Sequence, residues 1–104
     1  MMEENMLHKD VERDISNLFK VLSNPTRIKI LYIIKRKPLT VTSISEQLDI
    51  SQSAISHQLR ELKLARLVRS TKSGREIFYE LDDDHVHQIF DMAIEHVKEI
   101  YNYE

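Results

Sequence analysis

No cysteine occurs among the 104 residues of this chain. That single absence removes disulfides, thiolate metal sites and thiol redox sensing together. Glycine occurs once and proline twice, so few positions interrupt a helix and helices are expected to dominate. Long apolar runs are missing too. The start, MMEENMLHKD, lacks the apolar stretch of a secretory leader, and no segment approaches the length needed to span a bilayer. The expectation is a cytoplasmic protein with no membrane partner, folded as one domain over 1–104 and small enough to gain from dimerisation.

Charge is present but unevenly placed. The formal net charge of −2 argues, taken alone, against nucleic acid, and its distribution reverses that reading. Between Asn24 and Arg75 stand eleven Lys or Arg residues and three acids (Glu46, Asp49, Glu61), a local +8. The flanks carry the other four basic residues and fourteen acids, a local −10. A basic centre between acidic ends is the footprint of a nucleic-acid-binding core joined to a separate assembly surface, although a charge run is often only a solvated face.

Apolar periodicity gives the elements. A first helix is expected from near Asp10 to Leu22, with Val11, Ile15, Leu18, Phe19 and Leu22 on one stripe. Asn24 then serves as an N-cap with Pro25 at the first helical position, opening a second helix whose core face holds Ile28, Leu31, Tyr32 and Ile34. Thr40 or Thr42 caps a short third helix carrying Ile44 and Leu48. After the turn Leu48-Asp49-Ile50, Ser51 caps a fourth, with Ile55, Leu59 and Leu62 inward. Its outward turns hold Gln52, Ser53, Ser56 and His57, short neutral hydrogen-bonding groups suited to base edges, where a merely solvated helix more often carries Lys and Glu. Beyond Leu67 the period becomes two. Val68 and Ser70, then Ile77, Tyr79 and Leu81, form a hairpin around Thr71-Lys72-Ser73-Gly74-Arg75, with the only glycine at the tip. Lys72 and Arg75 are placed to meet phosphates or a minor groove. In isolation this is equally a plain solvent-exposed hairpin; after a helix-turn-helix it reads as a wing.

The last fifth of the chain holds Asp83-x-His85 and His96-x-x-Glu99, in a helix expected from Asp83 to Tyr101. His85 and His96 return to almost one helix face but lie roughly 16 Å apart, at about 1.5 Å of rise per residue. A zinc ion takes ligands at roughly 2 Å, so one helix cannot bring both pairs to one ion. Two antiparallel copies can. Facing residues of such a pair have a constant index total: 181 for His85 with His96 and 182 for Asp83 with Glu99, centred on Asp91. A two-fold axis there puts Asp83 and His85 of one chain opposite His96 and Glu99 of the other, twice per dimer. The same spacing also suits a solvated polar face, with Asp82, Asp83 and Asp84 as helix-start acids. His87, two residues past His85, is expected to face solvent. His8 belongs to a tail over 1–9 that also holds Glu3 and Glu4 and is expected to be disordered. His57 reads as a DNA contact, since no other donor but serines falls within a turn of it.

With these segments in place, the chain resembles the ArsR/SmtB family of bacterial metal-responsive repressors over about residues 11–101. The carrying segments are Phe19 to Leu31, Leu48 to Leu59, the strand Arg75 to Leu81 and the fifth-helix motif. That motif is most similar to the zinc/cobalt efflux repressors of Gram-positive bacteria, with Glu99 in a slot that takes Glu or His. The resemblance implies a mainly α fold with a small β-hairpin wing, a winged helix-turn-helix that forms a homodimer through its N- and C-terminal helices (10–23 and 83–101). The helix-turn-helix falls at 40–65 and the wing at 67–81. It implies contacts to double-stranded operator DNA from Gln52, Ser53, Ser56, His57, Arg60, Lys72 and Arg75. It further implies Zn(II) or Co(II) as an effector that lowers operator affinity, and a bond from the far ring N–H of His96 to a backbone carbonyl near Arg66. Branches that sense soft metals use Cys-x-Cys in the third helix; here Val41-Thr42-Ser43-Ile44-Ser45-Glu46 stands instead, which leaves the N/O set.

Other readings make different predictions. A winged-helix regulator with a vestigial acid/His cluster binds the same DNA without a metal response. A metallohydrolase needs an open coordination position, which four ligands close, and no activated nucleophile is evident, so the chain is expected not to be an enzyme. An interaction module without DNA conflicts with the basic centre and the polar fourth helix.

Overall fold

The computed structural model describes residues 5–103. The order is α1 (Lys9–Leu22), α2 (Pro25–Ile34), α3 (Val41–Leu48), α4 (Gln52–Leu64), β1 (Val68–Ser73), β2 (Glu76–Leu81) and α5 (Asp84–Tyr101). Of the expected N-terminal tail, residues 1–4, with Glu3 and Glu4, lie outside the described residues. His8 is not loose: its Nδ1 accepts from the Asp10 N–H at 3.1 Å and caps α1.

Each helix begins where a side chain satisfies a free backbone N–H. Asn24 accepts from Arg27 at the start of α2, with Pro25 at the first helical position. Of the two threonines at the next boundary, Thr40 does the work, accepting from Ser43. Ser51 accepts from Ala54 ahead of α4. Between α3 and α4, Asp49 takes a left-handed φ of 55°, and Ser45 closes the turn by receiving the Ile50 N–H and donating its hydroxyl to the Ile50 carbonyl. The chain reverses in three residues, which sets the two helices as a helix-turn-helix.

The core is made by the middle of the chain. Ile30, Leu31 and Ile34 of α2, Ile44 of α3, Ile55, Leu59 and Leu62 of α4, and Leu67, Val68 and Leu81 of the hairpin are buried, closed at one end by Val86 and Phe90 of α5. The hairpin is antiparallel in the register Val68↔Leu81, Ser70↔Tyr79, Lys72↔Ile77. Its strands run further than the period-two pattern indicated, leaving only Gly74-Arg75 as the turn. Gly74 has a φ of +65° and Arg75 is not in the left-handed region, the pattern of a two-residue turn whose twist matches the strands. A pairing not anticipated joins Leu39 to Tyr79, each donating its N–H to the other's carbonyl at 3.1 and 2.8 Å.

One expectation about packing is corrected. In α2, Ile28 and Tyr32 are exposed while Ile30 takes a core position, because α2 turns its Ile28 side toward α1 and α5 rather than toward α3 and α4. In α1 no residue is buried: Val11 is 45% and Phe19 59% exposed, and only Leu18, Val21 and Leu22 pack against the core.

Candidate nucleic-acid interface and metal centre

On α4 the buried residues Ile55, Leu59 and Leu62 share one side. At 100° per residue Ser53, His57 and Arg60 fall on the opposite side and Ser56 at its edge, while Gln52, the first residue of the helix, lies on the flank of the buried side; all five are exposed. The helix is locked in this orientation from behind. Arg27 of α2 donates its Nε–H to Gln58 Oε1 at 2.7 Å, and the Lys63 ammonium donates to Ser70 Oγ at 2.7 Å. Neither tie was legible in the sequence, where Arg27 is one cation among many; only the packing of α2 on α4 turns it inward. Lys72 and Arg75 are exposed at the far end of the hairpin, Lys72 within β1 and Arg75 in the turn.

Asp83 lies one residue ahead of α5 rather than inside it. Its backbone is extended, and its Oδ1 caps the helix by accepting the Val86 N–H at 3.0 Å. That bond is the main reason its carboxyl titrates below the ordinary 3.8; desolvation opposes it, and the nearby His85 ring adds a smaller pull downward. The other oxygen, Oδ2, stands 3.6 Å from His85 Nδ1. Two ligands of a tetrahedral ion with bonds of about 2 Å are separated by roughly 3.3 Å, so this pair is close to the edge such an ion requires. His96 and Glu99 are exposed on α5, one turn apart. Among the described residues no three His or acidic groups converge, so one chain does not assemble the four donors. His96 has no hydrogen-bonding partner among the described residues, and the bond expected toward Arg66 is not formed within one chain. His87, expected in solvent, is half-buried, because α5 turns it toward a cleft shared with Lys35, Arg69 and Glu80.

Asp91, the centre of the index match, turns to the flank and pairs with Lys35, the residue just past α2, at 3.1 Å. The exposed face that carries His85 and His96 holds Ile89 and Met92 between them, with Met92 62% exposed. Beside it runs an apolar groove of about 480 Å³ lined by Phe19, Ile28, Ala93, Val97 and Tyr103 among others.

Three helices, a polar exposed fourth helix and a hairpin with cations at its tip define a winged helix-turn-helix DNA-binding domain. Residues 24–70 match the family described as bacterial regulatory protein, arsR family. The chain is 37% identical over 95 residues to the HTH-type transcriptional regulator NmtR of Mycobacterium tuberculosis, covering 91% of this chain and 79% of NmtR. It also resembles the solution structure of apo-NmtR, with a TM-score of 0.80 at 35% identity over 95% of this chain and 83% of that one. The cadmium resistance transcriptional regulatory protein CadC homolog of Staphylococcus aureus is 35% identical, over 90% of this chain and 78% of the relative. The homodimeric winged helix-turn-helix domain of Mb0332 from Mycobacterium bovis has the same fold, with a TM-score of 0.82 at 18% identity over 95% and 97% of the two chains. The chain belongs to the arsR family: it is a transcriptional regulator and not an enzyme. No helix among the described residues is long and apolar enough to cross a membrane.

Proposed function

We propose that this protein is a homodimeric repressor that holds double-stranded operator DNA in its metal-free form and releases it on binding Zn(II), or Co(II), so controlling genes of metal efflux or homeostasis. One observation carries the reading. Asp83 and His85 stand as a ready pair at one end of an exposed α5 face, and His96 and Glu99 stand at the other end. Antiparallel pairing of that face brings the two ends together. The numbers of Ile89 and Met92 total 181, as do those of His85 and His96, so the pairing that joins the donors also sets Ile89 of one chain against Met92 of the other. Apolar contact and ligand register therefore agree.

The donor set fits the ion. Two imidazoles and two carboxylates suit zinc or cobalt, and with no cysteine in the chain a soft-metal thiolate site is closed to it. Asp83, held ionised by the Val86 N–H, is already in the protonation state that a ligand needs. Bound metal supplies a cross-link between the two α5 helices. The rest is done by the chain: α4 offers Gln52, Ser53, Ser56, His57 and Arg60 to the major groove, while Lys72 and Arg75 reach the flanking backbone. An effector that favours the DNA-free dimer weakens operator binding by the same coupling free energy.

The decisive experiment titrates zinc into the purified protein bound to its own promoter DNA. Release is expected with two metal ions bound per dimer, and cobalt is expected to give a tetrahedral N/O spectrum without thiolate charge transfer. Operator binding that ignores zinc makes the acid/His cluster vestigial, and one ion bound by an isolated monomer or a six-coordinate cobalt spectrum removes the proposed ligand set.

A further inference from the structure

Asp82, the residue that delivers Asp83 to α5, is held at both its backbone polar groups by Leu67, just ahead of β1, and Arg69 within it. The Asp82 N–H donates to the Leu67 carbonyl at 3.0 Å, and the Asp82 carbonyl accepts from Arg69 Nη1 at 3.0 Å. Arg69 is itself fixed by Glu80, its partner across the ladder, which accepts from Nε at 2.6 Å and lies 2.5 Å from Nη2. Leu67 carries the connection to the recognition helix. Its N–H donates to the Leu62 carbonyl of α4 at 3.0 Å, one residue after Arg66 ends that helix with a φ of 62°. A run of hydrogen bonds therefore links Leu62 to Leu67 and Leu67 to Asp82, and the next residue is Asp83.

We propose that Arg69 is a positioning residue that couples the Asp83 end of the metal site to α4 and the wing. The inference rests on the zinc-responsive reading above and goes beyond it by naming a route. Leu62, Leu67 and Leu81 are buried, so this corner cannot deform locally without disturbing the core. Asp83 sits one peptide from the clamped Asp82, so a shift of its carboxylate on ligation is passed to Leu67 and the end of α4 rather than absorbed by a slack linker. Arg69 suits the task because its planar fork serves two acceptors at once, a carboxylate and a carbonyl. A lysine ammonium is a point charge on a flexible stem and satisfies the first without holding the second. The route is distinct from His96, which sits at the opposite end of α5.

The test compares operator Kd with and without saturating zinc for the full-length wild type, Arg69→Lys, Glu80→Gln and the double variant. Cobalt spectra report the assembled site. Arg69→Lys is expected to keep the wild-type cobalt spectrum and an apo operator affinity within about twofold, as for surface substitutions in general. Its zinc-dependent loss of affinity is expected to shrink by roughly two- to thirtyfold, the range seen for single changes along coupling networks. Glu80→Gln keeps the Arg69 cation, so it separates the clamp from any DNA contact, and is expected to act in the same direction. The double variant is expected to lose no more than the larger single, because both break one clamp. Wild-type coupling in Arg69→Lys, strictly additive losses in the double variant, or a lost cobalt spectrum each overturn the assignment. A wild type that ignores zinc overturns the underlying functional reading instead, so the two failures are told apart.

Discussion

The helices of the acidic flanks carry apolar stripes at least as well defined as those of the basic centre, yet their fates differ. In α3 and α4 the buried stripe is consumed within the chain, and α2 gives Ile30, Leu31 and Ile34 to the same core: Leu31 and Ile55 are both 0% exposed. In α1 and α5 it is largely left in solvent, with Phe19, Ile89, Met92, Val97 and Ile100 exposed. The reason is geometric. The hairpin and α2 to α4 close around one another, and only Leu18, Val21 and Leu22 of α1 and Val86, Phe90 and Ile94 of α5 reach that cluster. What lies on the second face of α1 and α5 has no intrachain partner, and full burial of each such side chain is worth about 1.5–3 kcal/mol. A periodic stripe states that a helix will be covered. It does not state by which chain.

That contrast yields its largest expected effects by direct substitution. Leu31→Ala in the core is expected to lower the unfolding free energy by about 2–5 kcal/mol, the range for large-to-small core changes, read from urea denaturation of variant and wild type at one protein concentration. Phe19→Asp on α1 is expected instead to leave helicity near wild type by circular dichroism and to convert the sedimenting species to a monomer. A dimer that survives Phe19→Asp assigns the α1 face to something other than a second copy.

On the proposed function the centre itself divides between reading and holding. Alanine at Gln52, Ser53, Ser56 or His57 is expected to reduce discrimination among operator bases, by about 1–3 kcal/mol where a bidentate contact is lost. Alanine at Lys72 or Arg75 is expected to weaken every sequence alike and to lower the logarithmic salt slope by about one. Equal losses on operator and random DNA across both groups overturn the assignment of the exposed α4 face.

On the flanks the two donors at the C-terminal end of α5 are expected to differ. His96→Asn removes an imidazole able both to bind metal and to donate its second N–H, whereas the Glu99 carboxylate has no N–H to donate. At saturating zinc His96→Asn is therefore expected to lose more of the coupling between zinc and DNA than Glu99→Gln, with apo operator affinity unchanged in both. Equal losses rule out a relay role for His96.

The smallest effect concerns acid. Because the Val86 N–H depresses the Asp83 carboxyl, the α5 cap is stabilising above the ordinary carboxylate range and is lost as pH falls through the lowered folded value. The Val86 amide resonance is expected to titrate with a midpoint below 3.8. Asp83→Asn keeps a capping oxygen and is expected to abolish that titration. A midpoint at the ordinary value means the cap bond is absent in solution.

Helix starts were the most legible part of the chain, because a cap is a local bargain between one side chain and one N–H: Asn24, Ser51 and a threonine before α3 could be read directly. The exposed face of α4 was legible for the same reason, since four short polar residues at helical spacing need no distant partner to define a side. The spacing of Asp83, His85, His96 and Glu99 likewise belongs to the sequence, as does the register of an antiparallel pair. Tertiary structure alone decided what depends on residues far apart in the chain: that Asp91 turns away to Lys35, that His87 is half-buried, and that Ile28 and Tyr32 leave the core. It also alone brought Arg69, Glu80 and Asp82 into one clamp. Those facts follow from how the hairpin and α5 dock on α2 and α4, and docking is set by the summed burial of many side chains, which no local spacing encodes.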